Sequence, residues 1–163
     1  MVQELTREQT IIEHRKMWNW IADNLESMKM SVYTLKQMYC NENEWNLLNN
    51  CFLCSYCEQI CEKCPLYWGE EVESSTTFCE PVDYEVYISW IEADRLSIQG
   101  DYKEAAELSR KIANLPLRIY QNIENGNFHF TYEEMVEEIR ELYDSGYDYH
   151  SSKWRKWYDV KPL

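Results

Sequence analysis

The chain has 163 residues, enough for one domain with a real core and too few for two ordinary ones. Sixteen Lys and Arg against 29 Asp and Glu leave a net charge of −13, which argues against direct binding to nucleic acid or to an anionic membrane. The opening Met1-Val2-Gln3-Glu4 has no basic n-region and no run of about eighteen apolar residues occurs anywhere, so the expectation is a cytoplasmic protein that is neither secreted nor membrane-spanning.

Thr6-x-x-Gln9 has the form of a capping box, and Ile11, Ile12, Trp18, Ile21, Ala22, Leu25 and Met28 follow mostly at helical spacing. This pattern predicts an amphipathic helix over residues 7–28. A second helix is expected over 32–40 after Ser31, followed by an Asn-rich loop from Asn41 to Asn50. The cysteine-bearing stretch then falls outside long regular elements, and residues 65–78, with Pro65, Gly69 and Ser74-Ser75-Thr76-Thr77, read as an irregular connection. Pro81 is suited to the first turn of a helix over 82–98 that Gly100 stops, and Asp101 can cap a partner helix over 102–114, making a hairpin. Gly100-Asp101-Tyr102-Lys103-Glu104-Ala105-Ala106 matches the turn of a tetratricopeptide helix pair, but one copy without a 34-residue period is local hairpin chemistry. Residues 117–124 are expected to form a short helix ended by Gly126, and Thr131-x-x-Glu134 to cap a last helix running to Tyr143. The predicted fold class is therefore mostly α, one small domain of amphipathic helices with an irregular zinc knuckle between the first helices and the hairpin.

Five of seven cysteines fall in the run Cys51-x2-Cys54-x2-Cys57-x3-Cys61-x2-Cys64. In a reducing cytoplasm such spacing indicates metal ligands rather than a disulfide framework. Zinc takes four thiolate or imidazole ligands in a tetrahedron, and each Cys-x2-Cys pair can supply two sulfurs converging on one point. The expected ligands are Cys51, Cys54, Cys61 and Cys64. The six residues between the two pairs form a short spacer, so Cys57 or Cys79 remains an alternative for one of the four. A structural zinc would contribute folding free energy on the order of 10 kcal/mol. A 4Fe-4S cluster is the weaker alternative: Cys51 to Cys61 has the ferredoxin spacing, but the proline follows Cys64 instead of the fourth cysteine, and no second run exists.

No catalytic set accompanies the cysteines. A zinc deaminase needs His-x-Glu, which is absent, and the cluster contains no histidine. His14 reads as a helix-surface or packing residue, and His129 and His150 are remote in sequence. Glu133, Glu134, Glu137 and Glu138 form an acidic helical face, read first as a solvated surface. The acidity is concentrated in residues 58–104 and 131–149, whereas the segment from 150 to 163 is net basic and carries Trp154 and Trp157 among Lys153, Arg155 and Lys156. Thirteen Tyr, seven Trp and four Phe suit core packing with amphipathic rims, and also supply the residue types that dominate interface hot spots.

His14-Arg15-Lys16-Met17-Trp18-Asn19-Trp20, Asn50-Cys51-Phe52-Leu53-Cys54, Cys61-Glu62-Lys63-Cys64-Pro65-Leu66-Tyr67-Trp68, Cys79 and Ile112-Ala113-Asn114-Leu115-Pro116 together resemble small uncharacterised accessory proteins of phages and prophages in Gram-positive bacteria. The resemblance spans roughly residues 11–116. It implies recurrence of the Cys51/Cys54 and Cys61/Cys64 pairs, with the position of Cys57 not required to be cysteine, which favours zinc over ferredoxin-type ligation, and it brings no activity. Two kinds of function follow as expectations. One is an acidic zinc-binding protein, not an enzyme, that inhibits or redirects a bacterial host protein, such as a nucleic-acid-binding or defence factor, with Glu133, Glu134, Glu137, Glu138, Trp154 and Trp157 as its contact residues. The other is a redox role for iron or thiols; a sponge for a signalling nucleotide, stacked on Tyr or Trp, is a further alternative.

Overall fold

The computed structural model describes residues 4–68, 89–121 and 126–144. Cys79, Pro81, residues 82–88, most of the 65–78 connection, His150 and the tail with Trp154 and Trp157 lie outside the described residues.

The fold is built around α1 (Arg7–Met28). The capping box forms as the sequence predicts: the Gln9 amide donates to Thr6 Oγ1 at 3.1 Å, and the Thr6 amide to Gln9 Oε1 at 3.0 Å. The face carrying Ile11, His14, Met17, Trp18, Ile21 and Leu25 is buried. Lys29 ends the helix in a left-handed conformation, and Ser31 caps α2 (Val32–Glu42), which runs two residues beyond the expected end. A 3-10 turn over Leu48–Asn50 leads into α3 (Phe52–Cys57), and a second over Cys61–Lys63 follows.

α4 (Trp90–Ile98) and α5 (Tyr102–Ala113) make the expected hairpin. The helix predicted for 82–98 begins only at Trp90, because Ser89 is extended and its hydroxyl accepts the Glu92 amide as an N-cap. At the turn, the Gly100 amide bonds Ser97 O and the Asp101 amide bonds Leu96 O, the paired bonds of a Schellman motif, with Gly100 at φ 85°. The Asp101 carbonyl starts α5, but its side chain makes no cap bond. α1 packs along α5 and also against α2 and α3, and the hairpin closes on α2 where Ser97 Oγ accepts the Val32 amide at 2.9 Å.

The short helix expected over 117–124 does not form in its described part. Residues 116–118 run beside 65–67 instead: Tyr67 N bonds Pro116 O at 2.9 Å, Arg118 N bonds Pro65 O at 2.8 Å, and Leu66 bridges Leu117 in antiparallel fashion. These long-range bonds hold the chain extended into β1 (Tyr120–Gln121), which pairs antiparallel with β2 (Phe128–His129). α6 (Tyr132–Asp144) then starts under the Thr131 cap predicted from the sequence, with Thr131 Oγ1 accepting the Glu134 amide.

Candidate metal centre

The cysteine segment is part of the core. Phe52, Leu53, Cys57, Cys64, Leu66 and Trp68 are buried in the same cluster as Met17, Trp18 and Ile21 of α1. α3 is too short to be stable alone; it stands because its Phe52 and Leu53 are packed, with Trp45 edge-on to Phe52 at 5.0 Å between ring centres. Cys54 and Cys57 ride on this helix, Cys51 precedes it, Cys61 opens the following 3-10 turn and Cys64 closes it.

Cys51, Cys54, Cys57, Cys61 and Cys64 line one partly open cavity of about 20 Å³ together with Leu53 and Trp68. That is room for a single water-sized body as the thiols stand. The segment therefore brings together all four expected ligands and the alternative Cys57. All five are free thiols. Among the described residues, no three His, Cys, Asp or Glu side chains stand in positions that would hold a metal ion. The Cys54 thiol bonds the Cys51 sulfur instead. A change of χ1 well displaces a cysteine sulfur by about 3 Å, so the thiols have the donor chemistry that zinc takes, without its geometry as they stand.

The backbone is prepared for thiolates. Cys51 receives amide hydrogens from Leu53 and Cys54, Cys57 from Gln59 and Cys64 from Leu66. Cys51 is lowered to about 6, first by the Cys54 thiol, against burial, with help from the Lys36 charge and those amides. Burial pushes Cys57 up to about 12 and Cys64 up to about 11; Cys64 is partly relieved by the Arg118 charge, the Leu66 amide and the Trp68 indole N–H.

Sequence reasoning missed two buried cations, one of which, Arg118, stands beside the cluster. Arg118 donates from Nε to Cys64 O at 2.9 Å and from Nη2 to Leu66 O at 3.2 Å, clasping the exit of the second Cys-x2-Cys pair. Lys36 is only 4% exposed, although Val32, Lys36 and Cys40 recur every four residues on the buried side of α2. A lysine on an apolar stripe was the available signal; for Arg118 it was a lone cation between Leu117 and Ile119.

The acidic face is partly engaged within the fold. Glu138 contacts His129 Nε2 at 2.6 Å and Asn127 Nδ2 at 2.7 Å, and Glu134 accepts the Phe130 amide at 3.2 Å. Glu133 and Glu137 stand exposed on α6, Glu137 beside Arg140. His14 is fully buried; its Nε2 hydrogen reaches Ile112 O at 3.0 Å, so it is a packing histidine that ties α1 to α5. Between the start of α1 and α3 lies an open cleft of about 490 Å³, where Glu4 and Glu58 face Leu5, Phe52 and Tyr56. No helix of the described residues is long and apolar enough to cross a membrane. Comparison with protein families, with curated proteins and with solved structures finds no match.

Proposed function

We propose that this chain is an acidic, zinc-stabilised binding protein, phage-encoded as its sequence resemblance implies, that docks on a bacterial host protein and inhibits or redirects it. The observation that carries the reading is the convergence of five thiols on one small cavity inside the core, where backbone amides already donate to Cys51, Cys57 and Cys64. Zinc bound there by Cys51, Cys54, Cys61 and Cys64, or with Cys57 in place of one, would replace a weak thiol contact with a strong cross-link between α3 and the Arg118 clasp. The metal's role is to hold the fold.

Binding rather than catalysis is supported by where the polar groups go. The buried histidine is spent on packing, and the His129–Glu138 pair joins β2 to α6. What faces solvent is acidic: Glu133 and Glu137 on α6, and Glu4 and Glu58 at the cleft, where a lysine or arginine side chain could insert. A basic partner surface, such as the phosphate-binding groove of a nucleic-acid-binding or defence protein, has the complementary charge. The test is capture of host proteins on the wild-type chain and on a Glu133→Lys, Glu137→Lys variant. The account expects one captured protein to be lost with charge reversal; unchanged capture removes the acidic-face reading.

Thiol redox chemistry is favoured by one observation, the Cys51–Cys54 contact at the start of a helix, the position of a reactive Cys-x2-Cys pair. Metal-free protein with a reversible Cys51–Cys54 disulfide would support that reading over zinc.

A further inference from the structure

The open cleft between the start of α1 and α3 grades from an apolar floor to an acidic rim. Of its lining, Phe52 is buried, Leu5, Leu48 and Tyr56 are half-buried, and Glu4 and Glu58 are exposed. The walls are tied in place: the Leu48 amide donates to Ser55 Oγ at 2.7 Å, and the Glu58 amide closes α3 on Cys54 O. No Lys, Arg or His is among the described residues that line the cleft. Arg7, whose charge reaches Tyr56, is engaged elsewhere, donating to Phe130 O at 3.1 Å and standing 3.8 Å from Glu8. Among the described residues neither Glu4 nor Glu58 is in an ion pair. Burial, and next the Glu133 carboxylate, raise the Tyr56 phenol, which stays neutral and able to donate. Glu58 holds its place on the rim at φ 52°, a left-handed conformation that costs a glutamate more than a glycine or an asparagine.

A ligand that matches this lining has an aliphatic stem for the apolar walls and a cation for the rim, which is the build of an arginine or lysine side chain. The volume of about 490 Å³ lies in the range of ligand-binding clefts and exceeds what one such side chain fills. The mouth is open, so the chain that bears the cation and an apolar neighbour can enter as well. We propose that the cleft is a docking socket for a short segment of the partner protein that presents an arginine or lysine beside an apolar residue. Glu4 and Glu58 take the cation, and Phe52 and Leu48 take the apolar side chain. The inference rests on the binding reading above and narrows it: a linear basic and apolar segment enters between α1 and α3, in addition to any contact made by the exposed acids of α6. It also gives a use to the glutamate at the left-handed rim position, where asparagine would suit the backbone better and would lose the charge.

The probe is the blocked peptide acetyl-Leu-Arg-Leu-amide, titrated into the full-length chain and followed by amide NMR shifts. The expected result is shifts at Leu48, Phe52, Tyr56 and Glu58, binding that weakens as salt is raised, and no shifts with acetyl-Leu-Gln-Leu-amide. Glu58→Asn should bind the peptide about two- to fivefold more weakly, the size of one exposed ion pair. It should nevertheless unfold at the same or a higher urea concentration than the wild type. Glu4→Gln should weaken binding by a similar factor, whereas Glu107→Gln, at an exposed position outside the cleft, should leave it unchanged. Shifts confined to other parts of the chain, or a Glu58→Asn protein that loses stability and keeps its affinity, overturn the inference. Binding that tightens in a Lys153→Gln, Arg155→Gln, Lys156→Gln chain gives the socket to the chain's own basic segment, and a wild-type dimer that Glu58→Asn dissociates gives it to a second copy; either overturns it. If the peptide does not bind while charge reversal at Glu133 and Glu137 still abolishes capture of a host protein, the inference falls alone. If the peptide binds as expected and no host protein is captured, the host-protein reading falls and the socket keeps its preference for basic segments.

Discussion

His14 has no solvent contact, and its imidazole is lowered to about 4 by desolvation, opposed by the Ile112 carbonyl and reinforced by the charges of Arg15 and Lys36. Because the folded value lies below the ordinary 6.5, the unfolded chain binds the proton first. The stabilising effect is complete above 6.5 and is lost as pH falls through that value towards 4, amounting to about 3 kcal/mol. Urea titrations at pH 7 and pH 4 should show this loss in the wild type, and a His14→Gln chain should lack that part of the slope; equal slopes would mean that folding does not change the titration of His14. At the cysteines, Cys54→Ser and Cys64→Ser should each abolish stoichiometric zinc and lower the melting temperature of the metal-loaded protein. Retention of both zinc and melting temperature in either variant would exclude that sulfur as a ligand. The cysteine spacing made this cluster legible before any fold was known. Arg118 was not, because its placement depends on the 116–118 segment reaching the cluster from far away in sequence.

Local signals were sufficient for the elements that end on their own side chains. The Thr6–Gln9 box opens α1, Ser31 opens α2, Thr131 opens α6 and Gly100 turns the hairpin, all within a few residues of the bonds they make. Thr6→Ala should therefore cost about 1 kcal/mol of stability, read from denaturant unfolding. Gly100→Ala should cost a similar amount, about 1 kcal/mol, through its left-handed backbone alone, since a Cβ there meets nothing within 4 Å. A Gly100→Ala protein as stable as the wild type would mean that the turn relaxes away from φ 85°. The sequence reading failed at residues 117–121, where local helical preference is overridden by bonds to residues 65–67 about fifty positions earlier. The described part of the helix expected over 82–98 starts at Trp90 under a Ser89 cap that sequence reading did not assign. Asp101 shows the limit of cap reasoning in the other direction: the residue stands at the helix start, but its carboxylate is not used there.

For the whole molecule, one core joins α1, α2, α3, the α4–α5 hairpin and the cysteine segment, so the cysteine segment and the helical fold should gain or lose stability together. The mostly α class was legible because amphipathic periodicity runs through the longest elements. The centre's depth was not, since Phe52, Leu53 and Trp68 give no local sign that they pack on Trp18 and Met17. The acidic surface is a property of the same scale: Glu133 and Glu137 stand exposed, Glu137 paired with Arg140, while Glu134 and Glu138 are used to hold α6 to β2 and its approach. The central claim is that the five thiols enclose one zinc ion. Elemental analysis with a visible absorption spectrum, on protein purified without oxygen or added metal, tests it most directly. The account predicts near-stoichiometric zinc in a colourless protein; iron with sulfide and broad absorption near roughly 400 nm, or no metal at all, would contradict it.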